Sequence, residues 1–237
     1  QKVEEELLER FPGTEILRMD ADTTASGHGP ILRRFQKERI PILLGTQMVA
    51  KGLDFENVTL VGVLSADLSL YVESFRAAER TFSLLTQVVG RAGRGDKQGR
   101  AVIQTYTPEN DVIQCAARQD YGRFYESEIR LRQLRRCPPF ADWFLFTLSG
   151  TEEGSVLRAA ASVREALRQL WGDDPETEVL GPAPAPVLKV NNRYRYRCQL
   201  VRRNDRATRE RVDSVLRWFA GQRQFRGVNL FVDSNPM

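Results

Sequence analysis

ILLGTQMVAKGLDFENVTLVGVLSAD, residues 42–67, decides the fold. Two short apolar runs, Ile42 to Leu44 and Leu60 to Leu64, flank a loop of glycine and polar residues. Both runs hold few polar groups, as strands of a parallel sheet covered on two faces do. Ligands on such a sheet sit beyond the carboxyl ends of the strands. Gly45-Thr46-Gln47 and Asp67 occupy that position.

Outward from this stretch, strands continue to alternate with helices. Val3, Leu7, Leu8 and Phe11 make one helical stripe, ended by Pro12-Gly13. Glu15 to Met19 predicts a strand, Gly27 to Phe35 a helix, Glu73 to Val89 a long helix, and Ala101 to Tyr106 a further strand. Residues 1–110 are therefore expected to form an α/β lobe with a parallel sheet. Residues 111–140 read as a charged helical linker ending in Pro138-Pro139. Beyond it, Trp143 to Leu148 predicts a strand and Glu152 to Trp171 a helix. Val187–Val190 and Tyr194–Val201 make a hairpin across Asn191-Asn192, Arg206 to Phe219 a helix, and Val228 to Val232 a last strand. GPAPAP, 181–186, reads as a stiff turn. The order β-α-β-β-α-β over 141–237 predicts a small split βαβ domain of α+β type, helices on one face.

Composition narrows the class. The 237 residues are 28% charged and 41% apolar, an ordinary soluble balance, and no run of eighteen apolar residues predicts a membrane span. The chain opens on Gln-Lys with neither an initiator Met nor a basic-apolar leader, as expected of an internal piece of a longer cytoplasmic protein. Cys115, Cys137 and Cys198 are odd in number and widely spaced, which argues against a disulfide framework. With His28 the only histidine, no metal-ligand cluster is expected. The acidic DADTT, 20–24, reads as an Asx-type cap. Charge is uneven: net −1 over 1–110, net +5 over 111–237, with nine basic and two acidic residues between Lys189 and Arg211. Such a concentration is the footprint of a nucleic-acid surface.

Three constellations carry chemistry. In GTQMVAKGLDF, 45–55, Thr46 and Gln47 offer uncharged hydrogen-bonding groups to a phosphate backbone, Gly45 and Gly52 permit close approach, and Lys51 adds a charge. An ordinary β-α connection has a similar make-up. Asp54 can orient an arginine or cap a turn, and Asp67 is open to the same two readings. In QVVGRAGR, 87–94, Arg91 and Arg94 stand three apart, able to clamp triphosphate oxygens, while Gln87 could reach the γ-phosphate or its attacking water. A flexible basic loop is the plainer reading. In RYRYR, 193–197, period two puts Arg193, Arg195 and Arg197 on one face, where they could track a phosphate backbone; Arg202 and Arg203 extend the patch. A solvated sheet face is the alternative. No GxxxxGK[ST] loop occurs in these residues, so they hold half of an ATP site.

Residues 43–67 resemble the fifth motif of superfamily 2 DNA helicases, and ESFRAAERTFSLLTQVVGRAGR, 73–94, resembles the sixth. The wording of both is similar to the primosomal protein N′ family of bacterial replication restart helicases. RMDADTT at 18–24, QTYTPE at 104–109, DYGRFYESEIRLRQLRRCPPF at 120–140, GPAPAP and the closing VDSNP at 232–236 extend the likeness over essentially the whole chain. Leu53 departs from the family, where histidine is common, as does Cys137, where an aromatic often precedes the prolines. The resemblance implies a second RecA-like motor lobe followed by a C-terminal domain that contacts DNA and partners. It implies that Gln87, Arg91 and Arg94 face ATP, with Arg94 as the finger, that Gly45, Thr46 and Gln47 touch DNA, and that Lys51, Gly52 and Asp54 couple the two. It further implies ATP and Mg2+ in the full-length 3′-to-5′ helicase, with the family's zinc sites outside this chain. The implied partners are forked or single-stranded DNA, single-stranded-DNA-binding protein and primosome loading proteins, in the nucleoid-associated cytoplasm. This fragment alone is expected to be inactive. A non-catalytic DNA-binding scaffold and another superfamily 2 repair helicase are the alternatives.

Overall fold

The computed structural model describes residues 2–20, 28–46, 58–90, 92 and 99–236. They fall into two compact units: Gln1–Tyr71 with Ala77–Phe124, and Val72–Arg76 with Tyr125–Met237.

The first unit opens with α1 (Lys2–Arg10), which Gly13 ends at φ +79°. None of its residues is buried, and Leu8 and Phe11 are exposed, so the stripe read there covers little. Next, β1 (Ile16–Met19) pairs in parallel with β2 (Ile42–Gly45), Met19 lying opposite Gly45. Parallel neighbours need a crossover. It contains α2 (Gly29–Glu38), which starts on a proline and ends at Arg39 in the left-handed conformation. The second parallel pair joins β3 (Leu60–Val63) to β4 (Arg100–Ile103), with α3 (Asp67–Leu70) and α4 (Ala77–Val89) between them in sequence. Among the described residues the two pairs are separate two-stranded sheets. Leu60 and Val102 are exposed there, so this pair is not covered on both faces.

The core of this unit gathers Phe82 and Leu85 of α4 with Ala66. Ile113, Cys115 and Ala116 of α5 (Asp111–Ala117) and Phe124 of α6 (Tyr121–Leu134) complete it. Phe82 and Phe124 stack at 4.1 Å between centroids. Residues 111–124, read as linker from their charge, thus bury their apolar face in the first core. Asn110 caps α5 by accepting from the Val112 amide at 3.0 Å.

In the second unit, β5 (Asp142–Gly150), β6 (Glu178–Val190), β7 (Arg193–Arg202) and β8 (Asn229–Ser234) form one antiparallel sheet in the order β6-β7-β5-β8. This is the split βαβ arrangement, and α7 (Glu153–Trp171) and α8 (Arg206–Ala220) pack their apolar stripes on it. Phe144, Phe146 and Leu148 of β5 and Cys198 and Leu200 of β7 face those helices in a dry core with Val156, Val163 and Leu167. Glu152 and Asp205 cap the two helices through backbone amides. Asn191 and Asn192 both have positive φ, the requirement of a two-residue primed turn. GPAPAP, read as a turn, lies inside β6, with register shifts on either side of Ala183-Pro184. The reason is position: β6 is an edge strand, where proline's missing N–H need not remove a ladder bond.

Candidate functional site

The first unit places Gly45 at the end of β2, with Thr46 directly after it, both exposed. Gln87 stands on the last turn of α4, also exposed, its amide donating to Ser83 Oγ one turn back at 3.1 Å. Gln47, Lys51, Gly52, Asp54, Arg91 and Arg94 lie outside the described residues. Asp67, beyond β3, has a settled part. It accepts from Thr105 Oγ1 at 2.9 Å, the Tyr106 amide at 3.0 Å and Thr107 Oγ1 at 3.1 Å. Burial pushes its carboxyl up, but the Tyr106 amide and the two hydroxyls together hold it below the usual range. Asp67 thereby clasps the loop after β4, a structural duty in place of the ligand contact its strand-end position suggested.

The second unit carries the arginine row. The β alternation places Tyr196 on the helix side of β7, packed on the core with its hydroxyl donating to Glu153 Oε1 at 2.9 Å. Arg193, Arg195 and Arg197 take the other face, all half-buried. Arg193 is engaged: Nε donates to Ser149 Oγ at 3.0 Å, and Nη2 to the carbonyls of Ser149 at 2.7 Å and Gly227 at 3.4 Å. Arg195 and Arg197 differ, each with a shielded Nε that has no hydrogen-bond partner among the described residues. Arg197 lies 4.0 Å from Glu73, itself 73% exposed. Arg202 is tied to Asp174, and donates to Thr177 Oγ1 at 2.5 Å and to Thr208 Oγ1 at 3.3 Å. That bond to Arg202 is the main cause holding the Asp174 carboxyl below its usual range. Arg203 is exposed. The row is therefore heterogeneous: Arg193 and Arg202 brace the sheet, while Arg195, Arg197 and Arg203 keep donors for a ligand. Sequence spacing could not make this division, because Ser149, Gly227 and Asp174 lie far away along the chain.

Two family models match this chain. The helicase conserved C-terminal domain covers residues 1–96, and the primosomal protein N C-terminal domain covers 133–237. The replication restart protein PriA of Bacillus subtilis is 41% identical over 238 aligned residues, covering the whole chain and 29% of that relative. The chain belongs to the PriA replication restart family. The Synechocystis PriA protein is 42% identical over 83% of the chain and 24% of its own length, and that of Chlamydia trachomatis 34% over the whole chain and 31% of its own. The chain thus spans under a third of the length of these PriA relatives. The fold is mixed α/β, with parallel strand pairs in a RecA-like helicase lobe and an antiparallel sheet in the PriA C-terminal domain. Among the described residues no helix is long and apolar enough to cross a membrane.

Proposed function

We propose that this chain supplies the second motor lobe and C-terminal domain of an ATP-dependent 3′-to-5′ DNA helicase acting in replication restart and primosome assembly. The observation that carries the reading is the joining, in one chain, of a helicase C-terminal domain match to a primosomal C-terminal domain match. Residues 1–110 serve as the lobe, 111–140 as the connection and 141–237 as the DNA- and partner-binding domain. The exposed amide of Gln87, held only one turn back by Ser83, fits a group that must reach a phosphate or its attacking water. Arg91 and Arg94 act as the charge clamp, Arg94 as the finger, on ATP-Mg2+ bound by a preceding lobe. That nucleotide supplies the energy of phosphoryl transfer. Gly45, Thr46 and Gln47 hold the DNA backbone, and Lys51, Gly52 and Asp54 couple that contact to nucleotide state. Arg195, Arg197 and Arg203 form the DNA-facing part of the basic patch. Single-stranded-DNA-binding protein and primosome loading proteins are the partners, in the nucleoid-associated cytoplasm.

The test is Arg94→Ala in a protein that includes the P-loop lobe. DNA-stimulated ATPase falls at least a hundredfold while DNA affinity stays within about twofold, the loss expected when a transition-state charge clamp is removed. Unchanged turnover would overturn the finger assignment. The present chain alone, lacking the P-loop, shows no DNA-stimulated ATPase.

A further inference from the structure

Residues 72–76 interrupt the first unit in sequence yet belong to the second in space. The pattern of Glu73 to Val89 predicts one long helix, but α4 begins only at Ala77. Tertiary contacts explain the lost turn. The Phe75 ring meets Trp143 edge to face at 5.3 Å between centroids, and the Arg132 guanidinium lies 5.5 Å from the Phe75 centroid. Both partners are themselves fixed. Trp143 Nε1 donates to the Arg136 carbonyl at 3.0 Å, and Arg132 pairs with Glu128 at 2.8 Å and reaches the Pro138 carbonyl at 3.4 Å. Glu73 is a second tie, but a 4.0 Å pair with so exposed a carboxylate contributes little. Edge-to-face aromatic and cation–π contacts are each stronger than that, and here they converge on one ring. The chain then passes from Arg76 straight into α4, whose last turn carries Gln87.

We propose that Phe75 is a positioning residue, an anchor by which the second unit holds the start of α4. Loss of the anchor lets the first turn of α4 fray, and through the helix it shifts the end that bears Gln87. This last consequence rests on the motor-lobe reading above; the anchor itself does not.

Amide hydrogen exchange on the 237-residue chain tests it. Helix amides from Thr81 to Leu84 bond back to carbonyls of the first turn, so they report fraying there. In Phe75→Ala they exchange at least tenfold faster than in the parent, while the Phe146 and Cys198 amides keep their protection. Trp143→Leu, changed on the other side of the contact, produces the same acceleration at 81–84, and Phe75→Tyr restores the parent rate. Exchange at 81–84 within twofold of the parent in both Phe75→Ala and Trp143→Leu overturns the proposal. In a protein with the preceding lobe, Phe75→Ala lowers kcat of the DNA-dependent ATPase about tenfold with DNA affinity unchanged. An unaltered kcat there, with Arg94→Ala inactive, rejects the coupling and leaves the lobe assignment standing.

Discussion

Gly181 and Gly227 form a matched pair that separates backbone strain from steric exclusion. Their φ angles are +95° and +94°, a region L side chains rarely adopt. A Cβ at Gly227 meets nothing within 4 Å. A Cβ at Gly181 falls 2.6 Å from the Arg197 carbonyl oxygen and 3.1 Å from Cys198 Cα. Both obstacles are backbone of β7, which is paired on its other side with β5, so neither can move aside cheaply. Gly227→Ala therefore costs the dihedral strain alone, about 1–2 kcal/mol. Gly181→Ala adds a backbone collision that only a parting of β6 from β7 relieves, for a total of about 3 kcal/mol or more. Trp143, Trp171 and Trp218 are the only tryptophans, and all lie in the second unit, so their fluorescence follows that unit through a urea titration. With a slope of about 1.5 kcal/mol/M, the Gly181→Ala midpoint drops about 2 M and that of Gly227→Ala about 1 M. Equal midpoints for the two variants would refute the reasoning, because the collision is the only difference assigned between them.

Three further outcomes are expected. Phe146 is fully buried at the centre of the sheet, so Phe146→Ala destabilises the second unit by about 3–5 kcal/mol in the same titration; a loss under 1 kcal/mol would contradict the packing. The Asp174 carboxyl is held below its ordinary value mainly by Arg202, so its contribution is full above the unfolded value of about 3.9 and disappears as pH falls through the lowered folded value. Asp174→Asn is accordingly less stable than the parent at pH 7, and the gap closes below about pH 4; a gap constant with pH would deny the pair. Burial pushes the Cys198 thiol up to about 12, and Cys115 and Cys137 are also buried and raised, so a thiol reagent at pH 8 labels none of the three until the chain unfolds. Rapid labelling of Cys198 in the native protein would show that its site opens.

The sequence by itself determined the elements whose signals are local. Apolar runs marked β1 to β4, and side-chain period two put the β7 arginines and tyrosines on opposite faces. Asn191-Asn192 announced a hairpin because both residues tolerate positive φ. The motif wording of 43–67 and 73–94 reached the family before any coordinates did. Tertiary structure alone decided what depends on a distant partner. Phe75 fits a helical pattern, and only Trp143 and Arg132, far along the chain, draw it out of one. The charge of 111–124 hides an apolar face that Phe82 and Leu85 cover. GPAPAP looks like a turn until β6 is seen to be an edge, where its prolines are tolerated. Arg193 and Arg202 match Arg195 and Arg197 in sequence, yet Ser149, Gly227 and Asp174 occupy their donors. A side chain's type and spacing set what it can bind; which of those bonds it makes is settled by the groups that folding brings within reach.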